Sequence, residues 1–248
     1  MTLSIVAKDE KTNDFGVCGF TDIAGYGSLV PHVSLNGAVA TQAYVNVDNG
    51  LKMMELLDKN QNCTESGKKI IHEDSDKEKR QMISIGNNND YFVWTGKNTI
   101  DYKNSIIGDG FVIAGNCMKS KDVIEAAANY YDSNKNEEFI IRLIKTIQTG
   151  EIAGGHTEEI KIINNIDNTI IKKTTQEVFG DMMSAAIVIA SHKPEIWHNL
   201  RVDANKNAIF ELENIYKKTF DSAKKLNTFY NGAIKVKPVY WRKIYKDQ

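Results

Sequence analysis

Apolar residues recur along this chain in two periods, and the two periods come in blocks. Thr2 to Ala7 read as a β-strand that ends in the polar turn Lys8 to Asp14. "FGVCGFTDI" continues as its partner, and "SLVPHVSLN" and "GAVATQAYV" flank Asn36-Gly37, a strong hairpin signal. From Asn49 the period changes. Leu51, Met54 and Leu57, then Ile70 and Ile71, recur at helical spacing, with Thr64-x-x-Gly67 opening the second helix. After the charged run "HEDSDKEKR", strands return in "RQMISIG", "YFVWTG" and "FVIAGN", with turn chemistry at Asn87 to Asp90. Two helices follow. One has Ser120 as N-cap and Val123, Ala127, Tyr130 and Tyr131 along one face; the other carries Phe139, Leu143 and Ile147 and stops at Gly150. "EIKIINN", "NTIIKKTTQ" and "SAAIVIAS" read as strands, "EIWHNLRVD" is a candidate for one more, and "NAIFELENIYKKTFDSAKKL" is a long last helix. Such segregated runs predict an α+β chain, with packed antiparallel sheets and helices outside them.

With 248 residues, 42% hydrophobic and 25% charged, the chain is expected to form a single domain spanning 1–248 with a substantial core. A net charge of −1 argues against nucleic acid or a membrane surface as partner. No apolar run approaches the roughly 18 residues of a membrane span, and the start lacks a signal peptide's basic region and apolar core. Cys18, Cys63 and Cys117 are odd in number, far apart and free of any CxxC pattern, so they read as reduced, structural and cytoplasmic. The Asn- and Lys-rich stretch 157–182 has the weakest core pattern. It reads as an inserted arm, a protruding hairpin or loop turning at 165–168, placed to close over a pocket or join a neighbouring subunit.

The familiar chemical motifs are missing: no phosphate loop, no dinucleotide fingerprint, no HExxH and no GxSxG. The five histidines lack metal-ligand spacing, so no metal and no cofactor is expected; His156 with Asp181 or Asp203 is the one metal reading the chemistry leaves. Gly154-Gly155 before His156 marks backbone that needs freedom or close approach, and a plain turn satisfies it equally. In the charged run, Arg80 is the one member placed to point inward. Thr2 is different in kind. A threonine that becomes amino-terminal combines a hydroxyl nucleophile with an α-amine whose pKa in short peptides is about 7.7–8.0, able to take the proton near neutral pH. Nucleophile and base then share one residue, and no Ser-His-Asp constellation is required.

"MTLSIVAKD", "GSLVPHV", "GAVATQAYVN", Arg80-Gln81, "GNCM" at 115–118, "GEIAGG" at 150–155, "SAAIVI" and "LRVD" stand in the order of a known family. Over about 1–155 and 184–216 the chain resembles the prokaryotic domain of unknown function 1028 family, identified as a member of the N-terminal-nucleophile (Ntn) hydrolases. The resemblance implies a four-layer αββα sandwich, action on an amide bond of a small or peptide-like substrate, and a homo-oligomer. It implies Thr2, freed by removal of Met1, as nucleophile and base, with Thr21 or Asp22 as its polar partner. It implies that Thr41, Gln42 and Ala43 bring a backbone N–H to the oxyanion. Asn116 either lends an amide to the same pocket or caps a turn, and Ser184 either faces Thr2 or is a buried strand hydroxyl. Two departures bear on activity. Family members usually have Ser-Lys where this chain has Thr21-Asp22, so an anion replaces a cation, and the usual Asp after "AGG" is His156. The alternative to an amidohydrolase is therefore a non-catalytic relative, an oligomeric binding or scaffold module on the same fold.

Overall fold

The computed structural model describes residues 1–163, 169–180 and 182–233. Thr2–Lys8 (β1) and Phe15–Thr21 (β2) form the first hairpin, and Pro31–Ser34 (β3) and Gly37–Ala43 (β4) the second. The strand expected over "SLVPHVSLN" is shortened, because Tyr26–Leu29 (α1) makes one helical turn before Pro31. Ser34 faces Gly37, so the hairpin loop is Leu35-Asn36. Val47–Asp58 (α2) and Cys63–Glu73 (α3) both start from an asparagine cap. Asn46 Oδ1 accepts from the Asp48 N–H at 3.0 Å and Asn62 Oδ1 from the Glu65 N–H at 3.0 Å, so α3 opens just before the Thr64 suggested by the sequence.

Arg80–Gly86 (β5), Tyr91–Thr95 (β6), Asn104–Gly108 (β7) and Phe111–Asn116 (β8) return the chain to strand. β7 carried no strong pattern because it is a partly exposed edge strand with a single neighbour. Lys121–Ser133 (α4) starts at Ser120 as expected, whose hydroxyl accepts from the Asp122 N–H at 3.2 Å. Phe139–Ile152 (α5) runs past Gly150. That glycine is not a cap: a Cβ there would lie 2.5 Å from the Leu3 side chain, so it lets α5 approach β1. Glu159–Ile163 (β9), Ile170–Thr174 (β10), the short helix Thr175–Phe179 (α6), Met183–Ala190 (β11), Asn199–Asn205 (β12) and Ala208–Phe229 (α7) complete the described chain.

The protein is thus mixed α+β, with antiparallel sheets and seven α-helices among the described residues. The large sheet has the order β12-β11-β2-β1-β8-β7 and the smaller one β3-β4-β5-β6. Strand alternation divides the apolar side chains into three clusters. Leu3, Ile5 and Ala7 of β1 bury one face of the large sheet with Leu143, Ile144 and Ile147 of α5 and Ile209 and Leu212 of α7. Val6 and Val17 on its other face meet Ala38, Ala40, Ile83 and Ile85 of the small sheet. Val39 and Met82 on the far face of the small sheet pack with Met53 and Leu57 of α2 and Ile70 and Ile71 of α3. Each fully buried Val, Leu, Ile or Met among these contributes about 1.5–3 kcal/mol.

β9 and β10 pair only with each other, apart from both sheets. Ile170 is 65% exposed, while Ile160 is buried in the helix-side cluster and anchors the base of this hairpin. The expected turn at 165–168 and Asp181 lie outside the described residues. No helix among the described residues is long and apolar enough to cross a membrane.

Candidate functional site

Register brings four of the expected residues into one line. Thr2 lies opposite Thr21 on one side and Asn116 on the other, and Thr21 lies opposite Ser184. Ser184, Thr21, Thr2 and Asn116 therefore form a lateral row across β11, β2, β1 and β8, at the end of the large sheet and on its inner face. All four are buried, and Thr2 is 5% exposed. The Thr2 and Thr21 hydroxyls are 3.1 Å apart, and Thr21 Oγ1 also donates to the Met1 carbonyl. Met1 itself is 7% exposed and packed in the helix-side cluster. Ser184 does not reach Thr2. Its hydroxyl accepts from the Tyr26 N–H at 2.9 Å and donates to the Ile23 carbonyl, so it ties down the bend after β2.

Behind the row lies a polar network between the sheets. Ser4, one inward step from Thr2, donates to Gln42 Oε1 at 2.7 Å and lies 2.8 Å from the Tyr26 hydroxyl. Gln42 Nε2 donates to Gln81 Oε1 at 2.6 Å and to the Ala114 carbonyl at 3.1 Å; Asn116 Nδ2 donates to the same Gln81 oxygen at 3.1 Å. Gln81 Nε2 in turn donates to Thr95 Oγ1 at 2.9 Å and the Gly115 carbonyl at 3.1 Å. These contacts hold Asn116 in one orientation and lock the two sheets in register beside Thr2. Gly19 allows this, since a Cβ there would collide with the Tyr26 hydroxyl and the Leu3 carbonyl. Ser4 and Gln81 went unrecognised as site residues in the sequence, because polar residues on a strand's inner face look like any other strand residue until the facing sheet is known; Tyr26 went unrecognised because it lies in the short helical turn after β2.

Gln42 thus enters through its side chain. Thr41 turns the other way: its N–H donates to the Val30 carbonyl at 3.1 Å and its hydroxyl to the Leu29 carbonyl at 3.2 Å. The expectation that Thr41 offers its N–H to an oxyanion is corrected by that bond. Ala43 ends β4 at φ 65, a left-handed conformation that costs an alanine roughly 1–2 kcal/mol. Arg80 secures the next residues, donating to the Tyr44 carbonyl at 2.6 Å while Asp74 holds its Nε at 3.0 Å. Arg80 does point inward, as expected. Hydrogen bonds from Arg80 and Asn49 keep the Asp74 carboxyl below the usual range despite its burial.

Asp22 parts company with Thr21. Neither of its oxygens has a hydrogen-bond partner, so it does not hold the Thr2 hydroxyl. Its neighbour is His156, whose Nδ1 is 3.6 Å from Asp22 Oδ1. Two of the positions at which the resemblance implies a departure are thus near each other. Burial pushes the Asp22 carboxyl up, against the pull of the amino-terminal charge and His156. Glu151 is pushed up by burial too, with His156 opposing and Asp22 reinforcing, and its Oε2 has no partner. Cys117 is raised by burial, opposed by the amino-terminal charge. Asp22, Cys117, Glu151 and His156 therefore share one electrostatic neighbourhood with the amino terminus. Gly155 at φ 56 builds its edge, since a Cβ there would strike Glu151 Oε2. Asp22 and His156 open onto a cavity of about 480 Å³ that also touches Thr174, Thr175 and Met183. The metal reading gains nothing: Asp203 is held by Arg201 at 2.7 Å, and among the described residues no three His, Cys, Asp or Glu side chains converge as metal ligands.

No curated protein matches the sequence. The crystal structure of a DUF1028 protein from Silicibacter pomeroyi shares the fold with a TM-score of 0.72, at 22% identity over 88% of this chain and 85% of that one. The Family of unknown function (DUF1028) matches residues 2–162, more than half the chain, and the protein belongs to that family.

Proposed function

We propose that the protein is an Ntn amidohydrolase that cleaves an amide bond of a small or peptide-like substrate through Thr2 once Met1 is removed. The observation that carries this reading is the row of polar side chains at the end of the central strand, with the Thr2 hydroxyl 3.1 Å from that of Thr21. The stacking of helices, large sheet, small sheet and helices supports reading the fold as the αββα sandwich of that class. Cytoplasmic location and homo-oligomeric assembly belong to the same reading.

In this mechanism the Thr2 amine takes the hydroxyl proton as Oγ1 attacks the substrate carbonyl carbon. The tetrahedral intermediate then collapses, the amine's proton goes to the leaving nitrogen, and an ester on Thr2 remains for water to hydrolyse. Removal of Met1 takes away the carbonyl to which Thr21 donates, leaving the Thr21 hydroxyl free to orient Thr2. Asn116 Nδ2 and the backbone N–H of Ala43 are the donors proposed for the oxyanion; the Gln42 N–H faces β5 in the ladder. Asp22, which feels the amino-terminal charge, is proposed to act on the amine through its charge and not through a hydrogen bond. The same carboxylate favours the second reading, a non-catalytic binding module, because an anion beside the amine keeps it protonated and weakens it as a base.

A β-lactone probe separates the two readings without a known substrate. Ring opening by Thr2 Oγ1 adds the whole probe mass to the amino-terminal peptide as an ester. The adduct is expected in protein that begins at Thr2, at a reduced rate in Thr2→Ser, and not in Thr2→Ala. Correctly processed wild-type protein that forms no adduct, or equal labelling of the alanine variant, overturns the amidohydrolase reading.

A further inference from the structure

We propose that the cavity beside Asp22 is a binding site for an organic cation, an ammonium or guanidinium group carried on a short carbon stem. As a substrate subsite it rests on the Thr2 reading; as a binding site it stands without it.

Asp22 is only 4% exposed, yet it lines a cavity of about 480 Å³ with neither carboxylate oxygen hydrogen-bonded. A carboxylate has about four acceptor sites, and a buried one without donors is costly. His156 Nδ1 at 3.6 Å is too far for a hydrogen bond. The amino-terminal charge pulls on Asp22 but makes no hydrogen bond to it either. Both oxygens lack a donor, and the carboxyl borders the cavity beneath its surface, so a cation that enters turns the side chain toward itself. A planar guanidinium can address two oxygens at once, and an ammonium can address one. Met183 supplies an apolar wall for a carbon stem. At the mouth Glu158 lies 4.0 Å from Lys119, and among the described lining residues Asp22 is the buried carboxylate. The volume falls within the roughly 300–1,000 Å³ of small-molecule sites, enough for a cationic side chain.

The test is calorimetric titration of Thr2→Ala protein, which binds without turnover, with butylguanidine, butylamine, neutral pentanamide and butyrate. Both cations should bind at least tenfold more tightly than the amide or the anion, and Asp22→Asn should remove that preference. Asp22→Ser is the second variant should the asparagine protein fail to fold, and it should lose the preference as well. Equal binding of all four probes, or a cation preference that survives both substitutions, overturns the proposal. So does silence from the cations, which would mean that the amino terminus satisfies Asp22. Failures of the two readings are distinguishable. Cation binding without lactone labelling of Thr2 defeats the amidohydrolase and leaves the site; labelling without cation preference does the reverse.

Discussion

Asp22 is buried with both oxygens unbonded, and the consequence is a pH dependence of stability. Burial raises its folded pKa above the unfolded value, so the folded state holds the proton more tightly. The stability this contributes is complete below the unfolded pKa of about 4 and is lost as pH rises through the folded pKa. Glu151 works in the same direction, while His156 and the amino terminus oppose the rise at Asp22. Asp22→Asn is therefore expected to raise Tm at pH 7 by roughly 2–4 °C, about 1 kcal/mol in a chain of this size. The gain should fade near pH 4, and thermal melts across pH 4 to 8 that run parallel for the two proteins contradict it. Gly19 yields a prediction of opposite sign. Gly19→Ala sets a methyl against the Tyr26 hydroxyl and the Leu3 carbonyl, and should cost about 1–3 kcal/mol in urea unfolding while displacing Tyr26 from Ser4.

Elements differ in how firmly they are held. α3 starts at a side-chain cap, and Asn62→Ala should cost about 1 kcal/mol, read as a lower denaturation midpoint with an unchanged slope. The β9–β10 hairpin has neighbouring strands on neither side, and its second strand is exposed along its whole length. α6 beyond it starts from a capping box between Thr174 and Glu177, a local device. Amide hydrogens of β9 and β10 should therefore exchange orders of magnitude faster than those of β1 and β2, which lie inside the large sheet. Equal protection of both pairs would show that the arm is covered by something the isolated chain lacks. Most elements were visible in the sequence because their period or their cap was strong. β7 and α6 were not, one being a short edge strand and the other a helix of five residues.

At the scale of the whole molecule, three apolar clusters hold the sheets and helices together, and the polar row lies where two of them end. Leu143, fully buried over Gly16 of β2, should cost about 2–5 kcal/mol when replaced by alanine. Lactone labelling of Thr2 should nevertheless persist at temperatures where that variant stays folded. Loss of labelling in folded Leu143→Ala would mean that the helix layer positions Thr2 directly.

Local pattern by itself determined the α+β class, the first hairpins, the cap at Ser120 and the existence of the terminal helix, since these depend on neighbours within a few residues. The ordered blocks of family resemblance pointed to Thr2, Thr21, Asn116 and Ser184 before any geometry was known. Only the tertiary structure decided that these four share one row, because strand register is a property of pairs far apart in sequence. It alone turned Thr41 away and Gln42 inward, because consecutive strand residues face opposite layers, and it set Asp22 apart from Thr21, because β2 ends at Thr21 and the chain bends there. The contact of Asp22 with His156, 134 positions later in the chain, lay beyond any local signal, since it depends on where the end of β2 meets the turn after α5.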